Sequence, residues 1–248
     1  MSGLGDTHLD IIVDRLKRKF GVEVETSTPK IAYRETITAK AEAQGRHKKQ
    51  SGGRGQFGDC WIRLEPQERG AGYEYVDAIV GGAIPRQFIP SVDKGIREAL
   101  NSGIQAGCPV VDVKVTCYDG SFHPVDSSDM AFQLAGKLAF QAAAMKARPV
   151  LLEPIMDVEI IVPDMYMGDV IGDLNTKRGR VGGMEPVGGG RQLVKAQVPM
   201  AEMQRYIIDL RSIARGRGRF SAKFSHYEEV PQNVAQEVIA EAAKAKES

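Results

Sequence analysis

Apolar residues recur at three- and four-residue intervals near the start of the chain. Leu9, Ile12, Val13, Leu16 and Phe20 form one stripe, and the spacing predicts an amphipathic helix over residues 8–21, stopped by Gly21. Alternation takes over at Val22-Glu23-Val24-Glu25-Thr26, which reads as a strand. One helix and one strand make no independent core, so the start of this domain is expected to lie outside the chain. Further strands are predicted at residues 31–39, 60–64 and 73–79. A helix with Val92, Ile96, Ala99 and Leu100 in line then stops at Asn101-Ser102-Gly103. Val111, Val113, Val115 and Cys117 share one face of residues 110–118, the pattern of a half-buried strand. A turn is expected at Asp119-Gly120. Asp126, Ser127 or Ser128 can then cap a helix whose stripe is Ala131, Leu134, Ala135, Leu138, Ala142 and Met145, ended by Arg148-Pro149.

The Pro-bounded segment 149–154 reads as a domain boundary. Beyond it the periodicities give a strand (155–162), a helix (168–177), two strands (181–187 and 192–198), a helix (202–214) and a strand (220–226). That order is β-α-β-β-α-β, the split plan of ferredoxin-like domains. RNA-binding modules often use this architecture, although the plan alone does not set function. A last amphipathic helix, with Val234, Val238 and Ala242 in line, follows a turn at Pro231. The fold class is α+β, with no long internal repeat.

Charge changes this picture only through its distribution. The 248 residues carry 33 basic and 32 acidic side chains, a net charge of +1, so the total names no partner. Basic residues gather at 46–54, at Lys177, Arg178 and Arg180, and from Arg205 to Lys223, while Glu228, Glu229, Glu237, Glu241 and Glu247 mark an acidic end. Cys60, Cys108 and Cys117 form no CxxC pair and read as buried thiols in a reducing compartment. No apolar run approaches the ~20 residues of a membrane span, and the start of the chain shows no signal-like segment. The chain reads as cytoplasmic.

One stretch invites chemistry: GRHKKQSGGRGQFGDCW, residues 45–61. Gly53, Gly55 and Gly58 satisfy G-x-G-x-x-G, but a dinucleotide site needs an apolar strand before the glycines and a helix after them. Here residues 44–50 are too polar for a buried parallel strand, and Cys60-Trp61-Ile62-Arg63-Leu64 alternates like a strand. A hairpin tip with solvated charges is one alternative. An anion-binding loop is the other: Arg46, Lys48, Lys49 and Arg54 stand without an acid between them, on backbone that glycine frees for close approach.

The segments SGLGDTHLDIIVDRLKRKF, YRETI, KKQSGGRGQFG, GGAIPRQFIPSVDKGI, HPVDSSDMAF, RPVLLEPIM, GDVIGDLNTKRG and LRSIARGRGRFSAKFSHYEEVP, in this order, span essentially the whole chain. Together they resemble the C-terminal part of bacterial elongation factor G. The resemblance implies an elongated multi-domain fragment: residues 1–29 as the remnant of a ferredoxin-like third domain, 30–152 as a fourth domain with a ribosomal-protein-like fold, 153–230 as a ferredoxin-like fifth domain, and 231–248 as a C-terminal helix. It also implies a ribosomal translocase, monomeric, whose fourth domain resembles a tRNA anticodon arm and enters the decoding site. The partners implied are the small-subunit decoding site, tRNA–mRNA, and the large-subunit factor-binding centre with the stalk base; no membrane is involved. GTP and Mg belong to an N-terminal domain outside this chain, and no cofactor is expected within it. The chain is not expected to be an enzyme by itself: G-x-x-x-x-G-K-[ST] is absent, since Ala131 stands where Gly136-Lys137 would need a glycine.

Carried over by position, the RNA-binding tip comprises Gln50, Ser51, Gly52, Gly53, Arg54, Gly55 and Gln56 in a first loop and His123, Pro124 and Asp126 in a second. In the fifth domain the implied RNA contacts are Arg178, Arg180, Arg215 and Arg217, although a solvated helix end whose cations complement the helix dipole would also explain the last two. Taken without the family, His123 could be a polar turn residue, a base working with Asp126 and Ser127 or Ser128, or a metal ligand with Asp126 and Asp129. Two positions depart from the family. Pro124 replaces an acidic residue, and Met203-Gln204-Arg205-Tyr206 replaces the more usual Met-Phe-Gly-Tyr. They keep open a specialised paralogue, acting in ribosome recycling or under restricted conditions. Outside the family, a nucleotide-binding enzyme or a protein-interaction module are the remaining classes.

Overall fold

The computed structural model describes residues 6–24, 29–50 and 55–247, with side chains placed between 11 and 244 within those stretches. The chain divides into two compact units, one of Ala32–Glu153 with Tyr227–Ser248, the other of Met1–Ile31 with Pro154–His226. Both mix helices and strands, so the α+β class stands.

Helix α1 (Asp6–Phe20) ends at Gly21, whose φ of 64° lets its N–H reach the Lys17 carbonyl at 3.0 Å. The strand predicted next does not form over residues 22–24. Their alternation finds no partner strand among the described residues, and an unpaired extended segment must leave its backbone groups to water. Residues 25 and 26 of that prediction lie outside the described residues.

In the Ala32–Glu153 unit, the predicted strand 31–39 shrinks to β1 (Arg34–Ile37), because the N–H groups of Thr38 and Ala39 turn to the carbonyl of Ala147 at 3.2 and 3.0 Å. Strands β2 (Ala41–Lys49), β3 (Gln56–Pro66), β4 (Tyr73–Asp77) and β5 (Val113–Ser121) form a sheet of order β2-β3-β5-β4, antiparallel except for the β4–β5 pair. Of residues 44–50, read as too polar for a buried parallel strand, all but Gln50 belong instead to the antiparallel edge strand β2. Its outward side carries Glu42, Gln44, Arg46 and Lys48, while the buried inward positions are Ala43 and Gly45, too small to register as an apolar period. The turn expected at Asp119-Gly120 is also corrected. Both residues extend β5, paired with Trp61 and Cys60 across a register shift at Trp61/Ile62, and the chain turns only at residues 124–126.

Helices α2 (Ile89–Ser102) and α3 (Asp129–Lys146) cover the inner face of this sheet. Ser128 is the cap of α3, its Oγ accepting the Ala131 N–H at 3.3 Å. The predicted stripe of α3 is wrong in part: Leu138, Ala142 and Met145 are exposed, and the buried face is Ala131, Phe132, Ala135, Gly136, Ala139, Phe140, Ala143 and Ala144. The reason is close approach. A Cβ added to Gly45 on β2 would lie 2.0 Å from the Ala135 carbonyl oxygen, and one on Gly95 of α2 would lie 2.0 Å from that of Gln133. Small residues line the close contacts with β2 and α2 here, Phe132 and Phe140 fill the buried face beside them, and Leu138 and Met145 are displaced outward.

Strand β6 (Pro149–Pro163) begins in the segment read as a boundary. Its first residues pair with β1, and from Ile155 onward it belongs to the other unit. There it joins α4 (Met167–Thr176), β7 (Arg180–Pro186), β8 (Arg191–Pro199), α5 (Met200–Met203), α6 (Tyr206–Ile213) and β9 (Arg219–Glu229), with strand order β9-β6-β8-β7. This is the ferredoxin-like plan, and Val158, Ile160, Val162, Val170, Leu174, Val194, Val198, Tyr206 and Leu210 fill its core. The helix predicted over 202–214 is broken at Arg205, whose φ of −121° and ψ of 14° are not helical. Helix α7 (Gln232–Glu247) packs Val234, Val238 and Ile239 against the buried cluster of Ala106, Leu151 and Val230. No helix among the described residues is long and apolar enough to cross a membrane.

Candidate nucleic-acid interface

Strands β2 and β3 run antiparallel to their common end, where Lys49 faces Gln56. Of the first predicted loop, Gln50 is exposed, while Ser51, Gly52, Gly53 and Arg54 lie outside the described residues. The second loop is the 122–128 segment between β5 and α3. The structure joins the base of the first loop to the second. The Phe57 N–H donates to the Asp126 carbonyl at 2.9 Å, Ser127 Oγ donates to the Phe57 carbonyl at 3.0 Å, and Phe57 and Ser127 form a parallel bridge. The Gly55 N–H donates to the Asp126 carboxylate at 3.0 Å. Arg46 lies over the Phe57 ring at 5.5 Å, His123 approaches the same ring at 6.5 Å, and His47 Nε2 donates to the Gln56 side-chain oxygen at 2.9 Å.

His123 is half-exposed, and its ring is held from one side. Nδ1 accepts the N–H groups of Val125 and Asp126 at 3.3 and 3.1 Å, and the His123 N–H donates to Ser127 Oγ at 2.9 Å. An accepting Nδ1 puts the proton of the neutral ring on Nε2. Of the partners the alternative roles for His123 would need, Asp126 stays close, its Oδ2 3.5 Å from Nδ1, but the others are engaged elsewhere: Ser127 Oγ donates to Phe57, Ser128 Oγ caps α3, and Asp129 accepts from Ser91 Oγ at 2.6 Å. Among the described residues no group of three metal-ligating side chains assembles. Pro124 begins the turn, where its fixed φ fits. Phe122, Val125 and Met130 stand exposed around the histidine. Sequence reasoning missed them together with Phe57; the signal was available in apolar residues that no strand or helix period claims.

The four arginines of the fifth domain do not form one patch. Arg178, at φ 56°, pairs with Glu202 at 3.2 Å, and Arg180 is exposed opposite Gln197. Arg217 stacks at 5.1 Å on Tyr166 and donates to its hydroxyl, and exposed Arg215 sits at φ 48°. Register sets these groups apart, since β6 and β8 pair Ile155 with Pro199 at one end and Pro163 with Arg191 at the other. Glu202 follows the first end and Tyr166 the second. The thiols are sheltered as read for Cys60 and Cys117. Burial pushes the Cys117 thiol up to about 11 and the Cys60 thiol further, while Cys108 is only half-buried.

Comparison with known proteins bears on the fold and the family. A crystal structure of a protein from Thermus thermophilus superposes with a TM-score of 0.85 at 46% identity, covering 98% of this chain and 36% of that one. The chain therefore spans about a third of the length of that relative. Residues 29–148 match the model for elongation factor G, domain IV, residues 150–238 that for the elongation factor G C-terminus, and residues 1–28 that for elongation factor G, domain III. From the end of one domain through the two that follow it, the chain belongs to the elongation factor G family.

Proposed function

We propose that this chain is the ribosome-engaging portion of a translational GTPase that promotes movement of tRNA and mRNA, and that the paired loops around Gly55 and His123 touch the RNA of the decoding site. The observation that carries the reading is the convergence of the two loops at one end of the sheet, with the His123 ring half-exposed and its Nδ1 already occupied as an acceptor. Backbone N–H groups, an imidazole donor and arginine make a sequence-tolerant grip, as a factor that must accept every codon requires. Nucleotide hydrolysis falls to a portion of the factor beyond this segment, because its phosphate-binding motif does not occur in these residues.

The test is codon movement in a purified translation system, using a five-domain factor that carries this chain as its C-terminal part. His123→Ala should slow movement about tenfold, the cost of one charge-assisted or desolvated hydrogen bond, and slow GTP hydrolysis far less. Equal losses in both would reject the arm model. The exposed Gln204-Arg205 pair, where the family is apolar and small, supports a second reading: a specialised paralogue would separate ribosomal subunits but fail to advance the codon in this assay.

A further inference from the structure

The second tip loop contains a largely buried carboxylate, Asp126, whose Oδ2 lies 3.5 Å from His123 Nδ1. Asp126 accepts the Gly55 N–H through Oδ1 at 3.0 Å, accepts the Phe57 N–H through its carbonyl at 2.9 Å, and donates its own N–H to His123 Nδ1 at 3.1 Å. Its side chain is only 19% exposed. The fit on the far side is tight, since a Cβ added to Gly55 would lie 2.8 Å from Asp126 Oδ2. One residue thus binds the edge of the first loop, the first residues of β3 and the ring of the second.

We propose that Asp126 is a positioning residue: its carboxylate clamps the two tip loops together through the Gly55 N–H and stands 3.5 Å from His123 Nδ1, while its backbone N–H, with that of Val125, holds His123 as the Nε2–H tautomer, so that the tip presents a donor to an acceptor oxygen of RNA. This rests on the decoding-site reading above. The reasoning is chemical. A carboxylate accepts only, so it matches the Gly55 N–H, and a backbone N–H on Nδ1 forbids a proton there. An imidazole free to exchange tautomers would offer RNA a donor or an acceptor; the clamped one offers a donor alone.

Two arms test it. In the 248-residue chain, amide hydrogen exchange at Gly55 should accelerate about tenfold in Asp126→Ala and within about threefold in Asp126→Asn, whose amide oxygen can still accept. The amides of Ala135 and Ala139 in α3 report that each variant is folded. Gly55→Ala reaches the same contact from the other side and should also expel the carboxylate. Nitrogen-15 spectra of the His123 ring should show Nε2 protonated in the wild type. Equal Gly55 exchange in wild type and Asp126→Ala, or a protonated Nδ1, would overturn the clamp.

In the second arm the five-domain factor carries the same variants. Codon movement should slow about tenfold in Asp126→Ala and recover in Asp126→Asn. If His123→Ala slows movement and Asp126→Ala does not, positioning is overturned and the decoding-site reading stands. If neither does, the decoding-site reading falls and takes the positioning role with it, whatever the exchange arm shows about the contact.

Discussion

The Glu35 carboxylate lies 2.7 Å from the backbone nitrogen of Gln105, seventy residues along the chain, and accepts that N–H in an interior where Glu35 is 1% exposed. The N–H groups of Ile104, Ala106 and Cys108 converge on the same carboxylate at 2.9 to 3.0 Å. An acceptor-only group suits such a nest, and an amide does not. Glu35→Gln turns an NH2 toward two of these N–H groups and is expected to cost about 3 kcal/mol, with Glu35→Ala costing at least as much. Urea unfolding followed by the fluorescence of Trp61, which lies in the same unit, measures it. A loss below about 1 kcal/mol for both variants would mean that water replaces the carboxylate without penalty.

Gly45→Ala is expected to destabilise the same unit by about 3 kcal/mol, because the added methyl meets the Ala135 carbonyl and the Ala139 nitrogen, both backbone atoms of α3. Gly172→Ala provides the contrast. That glycine lies inside α4 with nothing within 4 Å of an added Cβ, so the substitution should raise the stability of the other unit by about 0.5–1 kcal/mol. Calorimetry resolving the two units distinguishes the signs, and a neutral Gly45→Ala would show that α3 can lift from β2.

Thiol chemistry should follow burial. Alkylation needs the thiolate, and raised pKa values keep Cys60 and Cys117 protonated at neutral pH, so only half-buried Cys108 should react in the native chain. The sign gives a pH profile: labelling of Cys117 should climb toward about 11 if the fold survives. Mass spectrometry after brief iodoacetamide treatment counts the sites. Early modification of Cys60 would contradict its place in the core.

Helix α1 is expected to open well before α3. Among its described side chains none is buried, and Ile11 and Phe20 are 53% and 71% exposed. Each large apolar side chain left in water forgoes roughly 1.5–3 kcal/mol of burial. Hydrogen exchange on dilute monomer should therefore release the amides of Asp6–Phe20 before those of Asp129–Lys146. Equal protection in a verified monomer would mean that α1 belongs to a self-sufficient core.

Where the sequence was legible, side-chain size and period agreed. The βαββαβ half could be read because Val158, Ile160 and Val162 alternate on β6 and Val194, Ala196 and Val198 on β8, each buried as its period demands. Where close packing replaced apolar bulk, the period vanished. Gly45 and Ala43 hid β2, and the alanine face of α3 lost out to the larger Leu138 and Met145, which point to solvent. At the tip, His123 was visible as a polar residue in a turn, but the Gly55–Asp126 contact joins residues 71 apart and no local pattern encodes it. Likewise, Arg178 and Arg217 look like neighbours in a basic composition, and only the sheet register separates them.

That separation turns the ferredoxin-like unit into a calliper. From Ile155 to Pro163 the strand is about 26 Å long at ~3.3 Å per residue, with the Arg178–Glu202 pair following one end and the Arg217–Tyr166 stack the other. No single phosphate can reach both jaws. Any partner that engages the two must present two separate anionic points, and each contact then raises the effective concentration of the other. Losses at the jaws should add in free energy, as they do for sites this far apart, and a ligand too short to bridge them would feel only one.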